Sequence, residues 1–344
     1  MSRTAVVVYN LGGPDGPDAV RPFLKNLFSD PMIIRLPWPL RWLVAELISR
    51  RRAPVAREIY AKLGGRSPIL PETRKQADAL QAVLGEEYRV FVAMRYWHPF
   101  ADRVVRDVAA WAPDRVILLP LYPQFSTTTT GSFLRVWQAA ARAAGLAAPT
   151  SEICCWPEAG GFVDAVVRRV RDALAKLPDG APCRVLFSAH GLPKKIVEAG
   201  DPYAEHVNRT ASAVLARLDM PGLDHVVCFQ SRVGPLEWLK PYTEAEIRRA
   251  GAGGLALVVV PVAFVSEHSE TLVELDIEYA ELARECGVPH YVRAPTVDAD
   301  PAFVAALADL VRAARQNGIA PGGRPCGPGF ADCPCRNDAG ARVA

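Results

Sequence analysis

Short apolar runs rich in branched residues alternate with longer amphipathic stretches along almost the whole chain. The runs have the length of strands, and the longer stretches repeat their apolar residues at helical spacing. This alternation is typical of parallel sheets covered by helices on both faces, so we predict an α/β protein. The predicted strands are Ala5–Tyr9, Tyr88–Met94, Arg115–Leu119, Cys183–Ser188, His225–Gln230 and Leu255–Pro261.

The helical patterns complete two successive α/β sets. A break near residues 147–150 separates the sets, which predicts an N-terminal α/β domain over 1–150, a C-terminal α/β domain over 151–320 and a cysteine-containing tail over 321–344. The predicted helices are Pro71–Leu84, Ala101–Ala112, Gly161–Leu177, Asp201–Leu218, Ser269–Cys286 and Asp300–Asn317.

Composition narrows the class of protein. The chain has 344 residues, of which 50% are hydrophobic, and a formal net charge of +3. That charge is too small, and too evenly spread, to predict nucleic-acid binding. The N-terminus enters a strand without the pattern of a signal peptide, and no span is apolar enough to cross a bilayer. We therefore expect a cytoplasmic protein.

An acidic stripe follows the last long strand. In a helix of about 100° per residue, Glu267, Glu270, Glu274 and Glu278 fall within an arc of roughly 80°. No Lys or Arg lies between Leu255 and Ala283 to offset their repulsion. Because ligands of open α/β sheets bind at the carboxyl ends of strands, the stripe predicts a site that handles protons or a metal cation. The alternative is a solvated acidic face.

A histidine occupies the turn at the end of another predicted strand. His190 is followed by Gly191, Leu192 and Pro193, which do not continue a simple helix. An imidazole has an ordinary pKa near 6.5 and can accept a proton near neutral pH. We predict His190 as a general base, and the stripe could open onto the same crevice.

Two further strand ends carry polar groups. Arg95 can bind a carboxylate through two hydrogen bonds, and Tyr96 and Trp97 beside it offer flat apolar surface. The hydroxyl-rich segment 120–132 offers an anion site at a strand-to-helix turn, or simply helix capping. Together these segments indicate a pocket for a flat, apolar molecule that carries acid groups.

The cysteines are unevenly distributed. Three lie in a Gly/Pro-rich tail with little apolar surface, and Cys154 and Cys155 stand next to each other. Three tail thiolates and one of that pair would suit an iron–sulfur cluster or a structural zinc. The alternative is a disordered tail with incidental thiols. The tail cysteines are Cys326, Cys333 and Cys335.

One N-terminal segment is unusually apolar for a domain surface. Residues 36–48 include Trp38 and Trp42, and Arg50, Arg51 and Arg52 follow. An apolar face next to a basic cluster is typical of contact with a membrane surface or of the lip of a cleft for a large apolar ligand. An ordinary core helix with a basic C-terminus is the alternative.

These motifs, in this order, resemble those of the ferrochelatase family over almost the whole chain. The matching segments include Asn10–Pro14, Leu27–Asp30, Gly64–Ile69, Arg95–Pro99, Tyr122–Ser126, Phe187–Pro193, Gly200–Tyr203, Gln230–Pro235 and Phe264–Leu272.

The resemblance implies a chelatase-like fold of two similar doubly wound, Rossmann-like domains whose parallel sheets face a central cleft. It implies that His190 and Glu270 are catalytic and that His190, Glu270, Glu274 and Glu278 line the path of the iron substrate. Whether Glu270, Glu274 and Glu278 relay protons or deliver iron is left open. The porphyrin-binding residues that it implies are Leu11, Arg52, Tyr60, Ser67, Arg95, Tyr96, Tyr122 and Trp238.

The resemblance also bears on the cysteines. Animal relatives with a [2Fe–2S] cluster have a cysteine where this chain has Thr127. The spacing of the tail cysteines instead resembles the bacterial cluster-bearing arrangement, in which the fourth ligand comes from the region of Cys154 and Cys155. We expect a [2Fe–2S] cluster, with the choice between Cys154 and Cys155 left open.

The expected reaction is insertion of Fe²⁺ into protoporphyrin IX to give protohaem. Coproporphyrin is the alternative substrate, and a haem or iron carrier without catalysis is the alternative function. A metal-dependent hydrolase fits less well, since it would need a His-rich ligand shell. We expect a monomer or homodimer, cytoplasmic or held peripherally at the inner membrane.

Overall fold

A computed structural model describes residues 2–317 of the chain. These residues form two compact units, one of residues 2–155 with 307–317 and one of residues 156–306. The predicted tail over 321–344, with Cys326, Cys333 and Cys335, lies outside the described residues.

The first unit is built on a four-stranded parallel sheet. Every residue of its first strand is buried, as expected for a strand covered on both faces. The strand order is β2-β1-β3-β4, and the strands are β1 (Thr4–Asn10), β2 (Tyr88–Met94), β3 (Arg115–Pro120) and β4 (Thr150–Glu152).

Five helices and a short 3₁₀ turn (Pro17–Ala19) accompany this sheet. On one face, Phe133 stacks on Tyr9 with ring centroids 3.8 Å apart, and Trp137 packs behind it. Burial of these three aromatic side chains anchors α5 to the central strand. The helices are α1 (Val20–Phe28), α2 (Trp38–Ala61), α3 (Ile69–Leu84), α4 (Ala101–Trp111) and α5 (Thr130–Ala143).

The second unit repeats the same strand order. Its parallel sheet has the order β6-β5-β7-β8, so β5 occupies the position that β1 holds in the first unit. The strands are β5 (Cys183–His190), β6 (Asp224–Gln230), β7 (Ala256–Pro261) and β8 (Tyr291–Arg293). The chain is therefore an α/β protein with two Rossmann-like parallel sheets, as the alternation of its apolar runs predicts.

Most helices of the second unit are ordinary α-helices, but the acidic segment is not. Glu270–Glu278 forms a nine-residue π-helix that continues into α10 (Tyr279–Glu285). The other helices are α6 (Gly160–Leu174), α7 (Lys194–Glu198), α8 (Tyr203–Leu218), α9 (Thr243–Ala252) and α11 (Pro301–Asn317). Helix α11 begins in the second unit, and its residues from Leu307 onward belong to the first unit.

The six predicted strands and the six predicted helical regions are confirmed to within a few residues. Two three-residue strands, β4 and β8, escape prediction because such short edge segments carry no periodic signal. The helix predicted over Ser269–Cys286 is correct in position but wrong in type over its first half. π-helices bond residue i to i+5 and are rare, usually at functional sites.

Helix α2 contains the apolar segment noted above, and much of it is exposed. Trp38 is 70% exposed, Leu43 59% and Trp42 47%. This excludes the alternative of an ordinary core helix, because a core helix would bury those side chains. Within residues 2–317, no helix is both long and apolar enough to span a bilayer.

Candidate active site

The site of the second unit begins at the carboxyl end of β5. His190 is the last residue of that strand and is in register with Gln230, the last residue of β6. A Cβ on the next residue, Gly191, would lie 2.9 Å from the backbone oxygen of Gln230 and 3.1 Å from the Trp238 ring. Only glycine fits there, so the chain can turn away directly after the histidine.

His190 is held by two contacts. Its Nδ1 lies 2.8 Å from Oε2 of Glu270, the first residue of the π-helix. Its backbone oxygen accepts a hydrogen bond of 2.9 Å from the hydroxyl of Tyr203. The carboxylate fixes which ring nitrogen carries the proton and leaves Nε2 as the other available nitrogen.

The His190–Glu270 pair favours its charged form. Burial by itself would lower the pKa of His190, but the charge of Glu270 and its hydrogen bond raise that pKa above the ordinary value. Burial would likewise raise the pKa of Glu270, yet the charge and hydrogen bond of His190 lower it to about 2. The pair is therefore a base that takes up a proton readily.

The second carboxylate of the π-helix is bound differently. Glu274 accepts hydrogen bonds from Gln230 Nε2 at 3.0 Å, the Ser231 N–H at 2.9 Å, the Ser231 hydroxyl and the Tyr279 hydroxyl at 3.1 Å. All of these donors are neutral. Burial and the neighbouring charge of Glu270 raise the pKa of Glu274. Glu274 thus accepts a proton more readily than an ordinary glutamate.

Ser231 connects the two carboxylates. Its hydroxyl bonds Glu274 and also lies 3.5 Å from Oε2 of Glu270. Its φ is +64°, a left-handed conformation that costs on the order of 1 kcal/mol for a residue with a Cβ. That conformation aims the N–H and the hydroxyl of Ser231 at the same carboxylate.

A second histidine lies beside the pair. His268 is buried, contacts the Phe264 ring at 4.6 Å between centroids, and places Nε2 3.9 Å from Glu270 Oε2. Burial is the largest effect on His268 and lowers its pKa. His268 is therefore neutral near pH 7.

The other acidic residues do not share this site. Glu267 pairs with Arg293 of β8 at 2.7 Å, and Asp276 pairs with the same guanidinium. Although no Lys or Arg lies within the acidic stretch of the sequence, a cation distant in sequence supplies a countercharge for Glu267. Glu278 is exposed at the end of the π-helix.

The four glutamates do not form one continuous stripe in the folded chain. The four glutamates separate into one that pairs with Arg293, two that gather with His190, and one that is exposed. Among the described residues, no group of three or more His, Cys, Asp or Glu side chains could hold a metal ion. The His190 imidazole and the Glu274 carboxylate are two adjacent groups that can accept a proton.

The predicted residues of the first unit form their own cluster. Arg95 Nη2 lies 2.8 Å from Asp30 Oδ2, and the Tyr96 hydroxyl donates to the same oxygen at 2.7 Å. Ser132 also donates to that oxygen, and Arg95 Nε donates to the Ser132 oxygen at 2.6 Å. Arg95 is thus already matched by a carboxylate of its own chain.

The remaining predicted substrate residues have different surroundings. Tyr60 and Tyr96 are buried in one hydrophobic cluster, with Leu11 packed against it. Ser67 is buried and lies against Gly13, where a Cβ would come within 2.5 Å of it. Tyr122 contacts the Tyr9 ring edge-on, and Arg52 is exposed on α2.

Trp238 of the second unit lies next to His190. Its ring centroid is 6.3 Å from that of His190, with the planes at 79°. Its indole N–H donates to the backbone oxygen of Val233 at 3.1 Å. The structure thus places His190, Glu270, Glu274 and Trp238 together, all within the second unit.

Cys154 and Cys155 lie at the end of the first unit. Both are buried, and their Sγ atoms are 3.3 Å apart. Because the two buried thiols are adjacent, either one could be the fourth ligand of a cluster whose other ligands are cysteines elsewhere in the chain. The described residues contain only these two members of the predicted set.

Sequence reasoning named the motifs that contain Gln230, Ser231 and Asp30 without assigning them contacts. The rule that found His190, a polar residue at the carboxyl end of a parallel strand, also applies to Gln230 and Ser231. Arg293 was missed because it ends a strand too short to predict. Asp30 was missed because nothing local connects it to Arg95.

The fold is that of a chelatase. SirB from Bacillus subtilis with Fe³⁺ shares it with a TM-score of 0.54 and 12% identity, over 91% of this chain and 95% of that one. The sirohydrochlorin chelatase SirB from Bacillus subtilis subspecies spizizenii in complex with cobalt shares it with a TM-score of 0.52 and 12% identity, over 92% of this chain and 96% of that one. At this identity the likeness shows the fold alone.

Sequence similarity makes the assignment specific. The ferrochelatase family model matches residues 3–315. Ferrochelatases of Caulobacter vibrioides (51% identity, 98% of this chain and 99% of the relative) and Phenylobacterium zucineum (52%, 97% and 98%) are similar over nearly their whole lengths. The chain belongs to the ferrochelatase family, which confirms the predicted family and the predicted class of enzyme, a metal chelatase that inserts iron into porphyrin.

Proposed function

We propose that this chain inserts Fe²⁺ into protoporphyrin IX to form protohaem, with His190 as the base. The observation that carries the assignment of the base is the 2.8 Å contact between His190 and Glu270 at the carboxyl end of β5. It supplies a proton acceptor that is oriented by a carboxylate and partly accessible, since the His190 side chain is 37% exposed.

The reaction requires the removal of two protons. Fe²⁺ and a porphyrin with two pyrrole N–H groups give an iron porphyrin and two H⁺, with no change in oxidation state. His190 accepts the first proton at its ring, and Glu270 stabilises the imidazolium that forms. Bending of the bound macrocycle exposes the pyrrole lone pairs, so strain in the substrate favours the transition state.

The second acceptor is Glu274, reached through Glu270 and Ser231. Glu274 has a raised pKa and four neutral donors, while Ser231 lies between the two carboxylates. This arrangement suits transfer of protons away from His190. We assign the inner carboxylates to proton transfer, and the exposed Glu278 to exchange with solvent, because coupled carboxylates share their protons as a set.

The substrate carboxylates bind, in this proposal, to residues of the first unit. Arg52 and Ser67 are assigned to the propionate groups of the porphyrin, together with Arg95. The pairing of Arg95 with Asp30 favours an indirect contribution, in which Arg95 fixes the local structure. Leu11, Tyr60, Tyr96, Tyr122 and Trp238 are assigned to apolar contact with the ring.

We also propose a [2Fe–2S] cluster bound by Cys326, Cys333, Cys335 and either Cys154 or Cys155. The two buried thiols with Sγ atoms 3.3 Å apart support this assignment. When bound, the cluster would join the tail to the first unit as a structural element. An absorption spectrum of anaerobically purified protein tests it, since a zinc site would be colourless.

Peripheral membrane contact is proposed for α2. Exposed Trp38, Trp42 and Leu43 next to the exposed Arg50–Arg52 suit an apolar face bordered by cations. Sedimentation with vesicles of anionic lipid should capture the wild-type chain and release Trp38→Ser/Leu43→Ser. Equal capture of both would contradict the assignment. Ultracentrifugation without lipid distinguishes a monomer from a homodimer.

The decisive experiment is an anaerobic metallation assay. Fe²⁺ is added with protoporphyrin IX or coproporphyrin, and the absorbance change on metallation is followed. Faster turnover of protoporphyrin supports the proposal, whereas faster turnover of coproporphyrin would assign the alternative substrate. Binding of porphyrin or haem with no turnover of either porphyrin would identify a carrier.

A further inference from the structure

Arg293 pairs with two carboxylates that flank the catalytic part of the acidic segment, Glu267 and Asp276. Its Nη1 lies 2.7 Å from Glu267 Oε1 and its Nε 2.7 Å from Asp276 Oδ1, while Nη2 bonds the second oxygen of Asp276. Glu267 precedes the π-helix by three residues, and Asp276 is the seventh residue within it. One guanidinium therefore joins the entry of the π-helix to its last turn.

The anchor of this side chain is rigid. Arg293 ends β8, which pairs with β7 so that Arg293 is in register with Val259, a fully buried residue. The Thr296 N–H donates to the same oxygen of Glu267 at 2.9 Å, and the Tyr291 hydroxyl donates to the backbone oxygen of Leu275 at 2.7 Å. Strand β8 and the loop that follows it thus contact the segment at three points, Glu267, Leu275 and Asp276.

Burial makes the Arg293–Glu267 pair more than an ordinary surface contact, whereas the Asp276 side chain of the second pair is 35% exposed. The side chains of Arg293 and Glu267 are 10% and 20% exposed, whereas surface pairs contribute little. Burial would raise the pKa of Glu267, but the charge of Arg293 and the surrounding donors lower it. Both partners are charged near neutral pH, and a planar guanidinium fixes direction as well as distance.

A π-helix needs such support because its hydrogen-bonding pattern is rare beyond a single turn. In this one, Glu270 contacts His190 and Glu274 accepts a hydrogen bond from the Ser231 N–H. A small rotation of the segment would break both contacts. Displacements of about 1 Å can reduce rates by roughly 100-fold.

We propose that Arg293 is a positioning residue for iron insertion, because it clamps Glu267 and Asp276 and so holds Glu270 and Glu274 in their places beside His190. Arg293 does not touch the substrate in this role. The kinetic part of the inference depends on the proposed function, while the structural part, order of the π-helix, does not.

The test compares Arg293→Met, Arg293→Lys and the double variant Glu267→Gln/Asp276→Asn with the wild-type chain. Arg284→Met is the matched control, since Arg284 forms an exposed pair with Glu281 on α10. Each protein is assayed with Fe²⁺ and protoporphyrin IX, and the exchange of the backbone amides of residues 268–279 is followed by hydrogen–deuterium exchange.

Arg293→Met and the double variant should lower kcat at least about tenfold, with the KM for porphyrin changed less than about threefold. Arg293→Lys should have a kcat between those of Arg293→Met and wild type, because lysine keeps the charge but cannot form the two parallel hydrogen bonds of a guanidinium. The same residues should exchange faster in Arg293→Met, whereas Arg284→Met should match wild type in both measurements.

An unchanged kcat in Arg293→Met, or a rise in KM with kcat unchanged, would overturn the inference. Unchanged exchange of residues 268–279 would also overturn it. If Arg293→Met does not fold, the double variant, which keeps Arg293 and replaces carboxylates by amides of similar shape, decides the same question. Wild-type protein without metallation activity would refute the proposed function and leave the exchange experiment valid.

Discussion

The two units place polar clusters at equivalent ends of equivalent sheets, and the clusters differ in their counterions. In the first unit, Asp30 is matched by Arg95, a permanent cation, and by two hydroxyl groups. In the second, Glu270 is matched by His190, a cation that can lose its proton. The first cluster fixes structure, whereas the second can exchange protons.

The strand ends show the same contrast. Asn10 ends β1 and His190 ends β5, the corresponding central strands. Asn10 hydrogen bonds the Thr73 hydroxyl and the next backbone N–H, which are neutral structural contacts. One fold has thus been used twice, and the chemistry depends on which side chain stands at the strand end.

The largest expected effect comes from His190→Ala. Loss of the base should lower kcat by roughly 100-fold or more, because general-base catalysis contributes about 10² to 10⁴. Porphyrin binding, measured by fluorescence quenching, should persist. His225→Ala, an exposed histidine at the start of β6, is the matched control. Near-normal insertion by His190→Ala would show that the second cluster does not supply the base.

Replacement of Asp30 should lower the stability of the folded chain more than it affects proton transfer. Asp30→Ala leaves the largely buried Arg95 without its carboxylate and should lower the free energy of unfolding by about 3 kcal/mol. Asp107→Ala, which breaks an exposed pair with Arg103, should cost less than about 1 kcal/mol. Urea denaturation measures both. Equal losses would mean that the first cluster is not structural.

Substitutions of Ser231 test whether the hydroxyl between Glu270 and Glu274 contributes to proton transfer. Ser231→Ala and Ser231→Gly both remove it, so both should lower kcat by a similar factor of several-fold. Ser231→Gly should also be more stable than Ser231→Ala by about 1 kcal/mol, because glycine adopts φ +64° without strain. If Ser231→Ala keeps the wild-type kcat, protons do not pass through this hydroxyl.

The smallest expected effect is the contribution of the His190–Glu270 pair to stability, which depends on pH. The pKa of His190 is raised, so its contribution is complete below about pH 6.5 and is lost as the pH rises through the folded-state value. The pKa of Glu270 is lowered to about 2, so its contribution is present above about pH 4.5 and is lost on acidification. The difference in melting temperature between wild type and Glu270→Gln should therefore be largest near pH 5–6.

The result for the first unit provides the comparison. The Asp30–Arg95 pair contains no histidine, so the stability difference between wild type and Asp30→Ala should be nearly constant between pH 5 and 8. A matching pH dependence for both variants would remove the distinction between the two clusters.

The sequence by itself determined the sheets and the family, and it predicted His190 at the end of a strand. Apolar runs of strand length must be buried, and polar residues at their carboxyl ends must meet at one edge, so His190 and the residues after β2 could be placed by rule. The acidic segment could be recognised as part of the site, because it follows β7 directly.

Only the tertiary structure decided how the charges are paired. Arg293 is separated from Asp276 by 17 positions and from Glu267 by 26, and Asp30 is 65 positions from Arg95. No local periodicity encodes such contacts, and a π-helix follows from long-range anchoring that a 100° repeat does not predict. Which carboxylate pairs with a permanent cation, and which with a titratable base, is therefore a property of the folded chain.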